Sequence, residues 1–280
     1  MTRTWLITGC SAGFGQALAY AALRAGDNVV ATARQADTLT PLVDTAPGRT
    51  LAVTLDVTDE QQIDAAVTAA DERFGRVDVL VNNAGLASVG AVEELEGPAL
   101  RQLMDVMFFA PVALVQAVLP GMRDRRRGAI VQMSSMGGQV SMPGFGAYCA
   151  AKFALEGLSD ALAAEVAPYG ITVMIVEPGA FATSFGAARS QVSPDSGHYD
   201  DTVGPQRRAV ATMNGSQPGD PAKAAAAILE ALDAPNPPLR LALGADAVEH
   251  IGSALDVRRA ELDEWAPLSR STSHPTPSAS

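Results

Sequence analysis

The feature that most constrains the fold is a regular alternation of short apolar runs with longer amphipathic stretches. The short runs are rich in Val, Ile and Thr and are bounded by Gly, Asp or Asn, which is typical of parallel strands covered on both faces. We expect strands at 4–8, 28–33, 50–57, 77–83, 128–134, 171–178 and 238–244. Helices are expected at 14–25, 35–45, 59–74, 98–120, 147–168 and 220–232. This order predicts an α/β fold with one doubly wound, open parallel sheet and helices on both faces.

The chain is predicted to form one domain, because nothing in its composition indicates a boundary before residue 184. We assign residues 1–266 to this domain. Within it, residues 184–219 are polar, weakly periodic and punctuated by Pro and Gly, which predicts a lid over a substrate site. Residues 267–280 are rich in Ser, Thr and Pro, which predicts a disordered tail.

Charge and reactive side chains exclude several classes of protein. A net charge of −11 and a pI near 4.7 argue against binding to nucleic acid or to an anionic membrane. Cys10 and Cys149 lack the spacing of a zinc site, and His198, His250 and His274 are scattered, so we expect no metal. A strand pattern from the first residues predicts no signal peptide, and we expect no apolar run long enough to span a bilayer. Together these features predict a cytoplasmic protein.

A tyrosine and a lysine lie four residues apart in the helical stretch that begins near residue 147. On a helix this spacing places Tyr148 and Lys152 on the same face. Only Lys152 and Lys223 are lysines among the 20 basic residues, so the chain otherwise uses arginine. The choice matters, because the pKa of a lysine ammonium responds to burial far more readily than that of an arginine guanidinium. An ordinary amphipathic helix with one exposed lysine remains an alternative at this point.

Three glycines follow the first predicted strand. Gly9, Gly13 and Gly15 lie in the turn that leads into the first helix, with the spacing G-x-x-x-G-x-G. Without side chains the backbone can pass close to a pyrophosphate at the positive end of the helix. This position between the first strand and its helix predicts a nucleotide site.

Six short motifs then appear in a fixed order, and with them the chain resembles the short-chain dehydrogenase/reductase family over residues 3–245. They are "TGCSAGFG" (8–15), "LDV" (55–57), "NNAG" (82–85), "SS" (134–135), "YCAAK" (148–152) and "PGAFAT" (178–183). The resemblance is to the single-domain Tyr-x-x-x-Lys branch. It implies a Rossmann-type sheet, an NAD(P)-dependent oxidoreductase acting on a small carbonyl or secondary alcohol, and a homodimer or homotetramer.

The resemblance also implies the catalytic roles. Tyr148 would be the general acid/base, Lys152 would bind the nicotinamide ribose, and Ser135 would orient the substrate oxygen. A nearby ammonium favours a phenolate, so we expect the pKa of Tyr148 to move from about 10 toward neutrality. Ser134 is interpreted as structural.

The cofactor site is implied residue by residue. The glycines would form the diphosphate turn, and Ser11 would hydrogen-bond phosphate or ribose. Asp56 and Val57 would close around the adenine, and Asn82 to Gly85 would lie beside the ribose. The last motif would hold the nicotinamide amide. The implied cofactor-binding residues are Gly9, Ser11, Gly13, Phe14, Gly15, Arg34, Asp56, Val57, Asn83, Ala84, Gly85, Tyr148, Lys152, Pro178, Gly179 and Thr183.

The second strand indicates which cofactor is used. An NAD site usually has a carboxylate at the end of this strand, to bind the ribose 2′-hydroxyl. Here the expected position is Ala33 and Arg34 follows it, which favours the 2′-phosphate of NADP. Asp37 is four residues further along, and a shifted register would favour NAD instead.

One position departs from the family pattern. Where the family has an asparagine that helps to hold a water linking the lysine to solvent, this chain has Met107. A thioether is a weak acceptor and cannot donate. The protein is then either an active oxidoreductase with slower proton supply, or a catalytically impaired NADP-binding sensor or a specialised biosynthetic enzyme.

Apolar residues near the catalytic motifs indicate an apolar ketone as the substrate. Met136, Met142 and Phe145 lie between Ser135 and Tyr148, and Phe181 and Phe185 lead into the predicted lid. A sugar-nucleotide epimerase or dehydratase of the extended branch would usually carry a larger C-terminal domain. The apolar stripe of helix 147–168 predicts either a subunit interface or simply core.

Overall fold

The computed structural model describes residues 2–183, 190–212 and 215–274. The first six residues of the predicted lid, with Phe185 among them, lie outside the described residues, as do positions 213 and 214 and the end of the predicted tail at 275–280. The described residues form a single α/β unit.

Seven parallel strands form the central sheet, in the order β3-β2-β1-β4-β6-β7-β9. A second, two-stranded parallel sheet pairs β5 with β8. The strands are β1 (Thr4–Ile7), β2 (Asn28–Ala33), β3 (Thr50–Thr54), β4 (Val79–Asn82), β5 (Ala87–Val89), β6 (Gly128–Met133), β7 (Ile171–Pro178), β8 (Ser190–Val192) and β9 (Arg240–Leu243). The seven predicted strands are confirmed with slightly shorter ends, and so is the doubly wound Rossmann-type sheet.

Helices cover both faces of the central sheet. They are α1 (Gly13–Arg24), α2 (Thr40–Thr45), α3 (Glu60–Phe74), α4 (Gly97–Met104), α5 (Ala110–Arg125), α6 (Gly146–Val166), α7 (Gly204–Ala211), α8 (Pro221–Leu232) and α9 (Ala245–Arg270). One π-helical turn, Asp105–Phe109, joins α4 to α5 within the helix predicted at 98–120.

Two apolar layers sandwich the sheet, because successive strand residues point to opposite faces. In β1, Trp5 and Ile7 pack with α1 and α8, whereas Leu6 packs with α3 and α5. All four residues of β1 are buried, as expected of a central parallel strand.

The helical stretch from α4 to α5 corrects one expectation. Gly97–Arg125 spans 29 residues and contains a window of mean hydropathy 1.8, so by length and composition it could cross a membrane. The expectation that no apolar run is long enough was therefore wrong. Buried core helices meet the same criterion, and Leu114, Val118 and Met122 on α5 pack against the sheet here.

The C-terminal part of the chain also differs from expectation. The sequence patterns did not predict α9, which extends to Arg270 and so into the first residues of the predicted disordered tail. On α6, Leu162 and Val166 of the apolar stripe are buried in the core of the chain.

The described part of the predicted lid is attached to the carboxyl edge of the sheet. Its strand β8 pairs in parallel register with β5, and Arg207 on α7 lies 2.5 Å from Glu94 in an ion pair. Arg207 also donates to the Ser193 carbonyl at 2.7 Å. These contacts place residues 190–212 beside β5 and the segment after it that contains Glu94.

A buried carboxylate at the start of β2 gives the first testable prediction. Asp27 accepts hydrogen bonds from the Arg3 backbone N–H and Nε, both at 2.9 Å, and from Trp5 Nε1 at 2.8 Å. Because Asp27→Ala leaves these donors without their acceptor, we expect it to lower the free energy of unfolding by about 3 kcal/mol. Urea denaturation at neutral pH measures this.

Asp233→Ala is the matched control, since Asp233 pairs with the same Arg3 but its side chain is 59% exposed. Exposed ion pairs contribute little, so we expect a loss of under about 1 kcal/mol. Equal losses in the two variants would contradict the prediction.

Candidate active site

A cleft opens at the carboxyl ends of β1, β4, β6 and β7, where the strand order reverses. It consists of two adjoining pockets that share Gly9, Ala84 and Gly85. We call them the Tyr148 pocket and the Arg34 pocket, after a residue that lines each.

The structure brings the residues implied by the resemblance together at this cleft. In the Tyr148 pocket they are Gly9, Gly13, Phe14, Asn83, Ala84, Gly85, Ser135, Tyr148, Lys152, Pro178, Gly179 and Thr183. In the Arg34 pocket they are Gly9, Ser11, Arg34, Asp56, Val57, Ala84 and Gly85. Gly15 alone of the set lines neither pocket, and its role is one of packing.

The backbone of the glycine turn adopts conformations and close contacts that require glycine. Gly9 and Gly13 have φ values of +73° and +63°, which favour glycine. At Gly15 an added Cβ would lie 2.5 Å from both the Gly9 oxygen and Asn83 Nδ2. The helix can therefore start this close to the strand only with glycine at this position.

Hydrogen bonds from the end of β4 hold this turn in place. Asn83 Nδ2 donates to the Thr8 carbonyl at 2.7 Å, and the backbone N–H groups of Asn83 and Ala84 donate to Thr8 Oγ1 at 2.8 and 2.9 Å. Asn83 therefore acts here by positioning the glycine turn.

The three predicted catalytic residues converge from two elements. Tyr148 and Lys152 lie one turn apart on α6, with Lys152 Nζ 5.8 Å from the centroid of the Tyr148 ring. Ser135 follows β6, forms a hydrogen bond with Tyr148, and accepts one from the Gly137 N–H at 3.0 Å. The two hydroxyl groups thus face the same side of the pocket.

The electrostatics of this group differ from expectation. Burial raises the pKa of Tyr148 to about 12, although its hydrogen bond with Ser135 acts in the opposite direction. Burial lowers the pKa of Lys152 to about 8, opposed by the negative charge of Glu156. The expected fall in the pKa of Tyr148 is not seen, because loss of solvent dominates and the Lys152 ammonium donates instead to the Met133 carbonyl at 2.6 Å.

The loop after β7 forms the opposite wall. Phe181 packs against Phe14 with ring centroids 5.0 Å apart, and the side chain of Thr183 approaches Gly13. Asp246, in the first turn of α9, accepts from the Ala180 N–H at 2.7 Å. Asp246 is a positioning residue that sequence analysis missed, since no local pattern connects it with a loop 66 residues earlier.

The Arg34 pocket has the polarity expected at the adenosine end. Arg34 follows the last residue of β2, is exposed, and lies close enough for its charge to lower the pKa of Asp56. The larger cause of that shift is Thr58, whose N–H and hydroxyl donate to Asp56 Oδ1 at 3.0 and 2.7 Å. Asp37 is not among the residues that line this pocket.

Met107 lies behind Tyr148 in an apolar cluster. It is 1% exposed and packs with Leu103, Ala147 and Ala151, with Tyr148 at the edge of the group. The thioether therefore makes apolar contacts on this side of the predicted catalytic residues, where the family has the polar side chain of an asparagine.

The predicted substrate-facing residues are only partly placed at the pocket. Phe181 lines it, but Met136, Met142 and Phe145 are not among the residues that do. Met133 and Gln217 line it without having been predicted, and Gln217 Oε1 is buried with no hydrogen-bond partner among the described residues. Nothing in the local sequence distinguishes these two residues, because the fold brings them together from distant segments.

Comparisons with known proteins identify related oxidoreductases. Residues 3–193 match the family model for short chain dehydrogenases. An oxidoreductase, BOA17, of Botryotinia fuckeliana is 42% identical over 270 residues, covering 96% of this chain and 98% of the relative. Human retinol dehydrogenase 8 is 38% identical over 255 residues, covering 85% and 80%.

Solved structures give the same result. The crystal structure of a short-chain dehydrogenase from Streptomyces avermitilis superposes with a TM-score of 0.92 at 52% identity, covering 97% of this chain and 98% of that one. A short-chain dehydrogenase from Burkholderia cenocepacia in complex with NADP has a TM-score of 0.73 at 26% identity, covering 94% and 97%. The chain therefore belongs to the short-chain dehydrogenase/reductase family, and it is an oxidoreductase that acts on CH–OH groups.

Proposed function

We propose that the protein is an NADPH-dependent reductase of apolar ketones, which also oxidises the corresponding secondary alcohols. The observation that supports this best is the pair of hydroxyl groups on Ser135 and Tyr148, hydrogen-bonded to each other in the pocket that adjoins the glycine turn. Two donors facing one point suit a carbonyl oxygen on which negative charge develops.

The residues present fit a dinucleotide. Arg34 lines one pocket of the cleft and Tyr148 the other, and the two pockets meet at the glycine turn. The start of α1, with no acidic residue in its first turn, suits a diphosphate. The buried Gln217 Oε1 offers an acceptor to an amide or hydroxyl group in the Tyr148 pocket.

A bound dihydronicotinamide would supply the hydride to the carbonyl carbon. The chain supplies the rest of the chemistry. Ser135 donates a hydrogen bond that orients the substrate oxygen, and Tyr148 gives that oxygen a proton as the carbonyl becomes an alcohol. The ammonium of Lys152 stabilises the phenolate that remains, which is then reprotonated from solvent.

NADPH is proposed over NADH because a guanidinium is present and a carboxylate is absent where the ribose 2′ position would lie. Arg34 lines the pocket and the preceding Ala33 is the buried end of β2. A relative of known structure is in complex with NADP, which supports the same choice.

An apolar substrate is supported by the walls of the Tyr148 pocket. Phe14, Phe181 and Met133 line it together with small residues. One relative is named as a retinol dehydrogenase, which also indicates an apolar alcohol or carbonyl. The cytoplasm is the proposed location, consistent with two free and buried cysteines.

The second candidate is an NADP-binding sensor or a specialised biosynthetic enzyme with impaired turnover on simple ketones. Its support is Met107, which stands in place of the family's asparagine on the side of Tyr148 that faces α4 and the π-helical turn. That side of Tyr148 therefore lacks the polar side chain. The presence of Ser135, Tyr148 and Lys152 together favours the active reductase.

The first test is NADPH oxidation by the purified protein with a panel of aryl, alicyclic and steroid-like ketones. Tyr148→Phe removes the proton donor while keeping the ring, so we expect kcat to fall by about 10²–10⁴-fold with NADPH binding retained. Cys149→Ser, one residue away, is the control and should remain active.

Met107→Asn is measured alongside. If the wild type and Met107→Asn both bind NADPH and reduce none of the ketones, the sensor or specialised-enzyme candidate replaces the reductase. Turnover that survives in Tyr148→Phe would contradict the proposed proton donor.

The second test is cofactor choice. Arg34→Ala removes the proposed partner of the 2′-phosphate, so we expect KM for NADPH to rise roughly 10–100-fold while KM for NADH changes little. Steady-state kinetics with both cofactors measure this, with Arg24→Ala on α1 as a control outside the pocket. Equal effects on the two cofactors would contradict the assignment.

We also propose that the chain forms a homodimer or homotetramer. Large apolar side chains are exposed on α9 from residue 255 onward, where Leu255, Leu262, Trp265 and Leu268 are 52–63% exposed. We expect light scattering to give at least twice the monomer mass, and Leu262→Glu to lower it. Glu261→Gln is the control, and a monomeric wild type at micromolar concentration would contradict the proposal.

A further inference from the structure

Two carboxylates are buried behind Lys152, on the side away from the substrate. Glu156 on α6 and Glu177 on β7 are each 2% exposed. Glu156 lies one helical turn beyond Lys152, so the two side chains share a face of α6, and its charge acts on the ammonium. The proposed reaction assigns no role to either glutamate.

Gln139 and Arg240 bridge the two carboxylates. Gln139 donates through Nε2 to Glu156 and, at 3.2 Å, to Glu177. Arg240 Nε lies 3.5 Å from Glu156 Oε2 and 3.2 Å from Glu177 Oε1. The two acids are therefore close neighbours rather than separate buried groups.

Glu156 is also held from the active-site side. Ser134 donates to its Oε1 at 2.5 Å, and a Cβ added at Gly138 would lie 2.1 Å from that oxygen. Ser134 is the residue that follows β6, directly before Ser135, so Glu156 is connected to the segment that carries the substrate-orienting hydroxyl. Glycine at 138 makes room for this contact.

The cations around the pair do not balance its charge. Arg240 shares its terminal nitrogens with Asp160, at 2.7 and 2.8 Å, so one guanidinium faces three carboxylates. Arg258 on α9 donates to the Gln139 carbonyl rather than to a carboxylate. Lys152 is the remaining charged group that acts on Glu156. Two buried carboxylates with so little positive charge cannot easily both ionise.

We propose that Glu156 and Glu177 hold one exchangeable proton between them behind Lys152, and that the charge of this pair keeps Lys152 protonated while Tyr148 works. Glu156 and Glu177 are thus positioning residues that act through the lysine. The inference rests on the proposed function only in assigning Lys152 to assist Tyr148.

The electrostatics of the pair agree with this arrangement. Burial and the charge of Glu156 raise the pKa of Glu177 to about 7. Below that pH the Glu177 carboxyl holds the proton that we assign to the pair, and above it that proton is released. The charge of Glu156 opposes the burial that lowers the pKa of Lys152 to about 8, so the ammonium persists to higher pH than burial alone allows.

The first test does not depend on activity. An acid whose pKa is raised in the folded state contributes stability that is lost as pH rises from its unfolded pKa to its folded one. We therefore expect Tm of the wild type to fall between pH 4.5 and about 7. Glu177→Gln should not show this fall, and at pH 8 its Tm should exceed that of the wild type by about 5 °C.

Glu165→Gln is the matched control, an exposed glutamate on the same helix that should follow the wild type. A carboxyl C=O infrared band that disappears between pH 6 and 8 in the wild type, and is missing in Glu177→Gln, gives the same answer without a thermal transition. Coincident Tm curves together with no such band would overturn the inference, even in a fully active enzyme.

The second test links the pair to Lys152. In Glu156→Gln the ammonium loses its neighbouring anion, so the alkaline limb of the kcat profile for ketone reduction should move down by about one pH unit. Glu156→Asp keeps the charge and should largely restore the limb, and Glu165→Gln should leave it unchanged. A purely structural role would lower kcat by the same factor at every pH, and that outcome would overturn the link.

The same shift should appear in the pH dependence of NADPH binding, followed by cofactor fluorescence. If the wild type reduces no ketone, the proposed reductase fails, while the binding profile and the infrared band still decide the carboxyl pair. If Glu156→Gln binds NADPH with the pH profile of the wild type, the link to Lys152 is wrong.

Discussion

The active site depends on the hydrogen bonds that join the end of β4 to the turn after β1. Asn83 and Ala84 both bond to Thr8, and Asn83 Nδ2 occupies the space that a side chain at position 15 would need. These contacts fix the glycine turn at the point where the strand order of the sheet reverses. Because both pockets of the cleft border this turn, the distance between the adenosine end and the catalytic end follows from it.

Burial shifts the pKa of both members of the proposed catalytic pair, Tyr148 and Lys152. Desolvation raises the pKa of Tyr148 and lowers that of Lys152, so burial shifts both groups toward their neutral forms. An ammonium is useful to the tyrosine only if other charges keep it protonated. Glu156, one turn along α6, is the described residue whose charge does this, which gives the buried carboxylates behind the active site a physical purpose.

The last helix connects the edge of the fold to its active site. Asp246 bonds to the backbone of the loop after β7, and Arg258, further along α9, bonds to the Gln139 carbonyl. The first contact is to the loop after β7, which lines the Tyr148 pocket. The second is to the segment after β6, where Gln139 bonds to Glu156 and Glu177. A change in the position of α9 would therefore affect both the loop after β7, which lines the Tyr148 pocket, and the surroundings of Glu156.

Local patterns in the sequence determined the alternation of strands and helices, the glycine turn and the shared face of Tyr148 and Lys152. These depend on periodicity and backbone freedom within a few residues, so they can be predicted without the fold. Tertiary structure alone decided the burial of Lys152, the pairing of Glu156 with Glu177, the contact from Asp246, and the assignment of Leu162 to the core. Desolvation and charge arise between segments far apart in the chain, and for this reason the expected pKa of Tyr148 was wrong although its position was not.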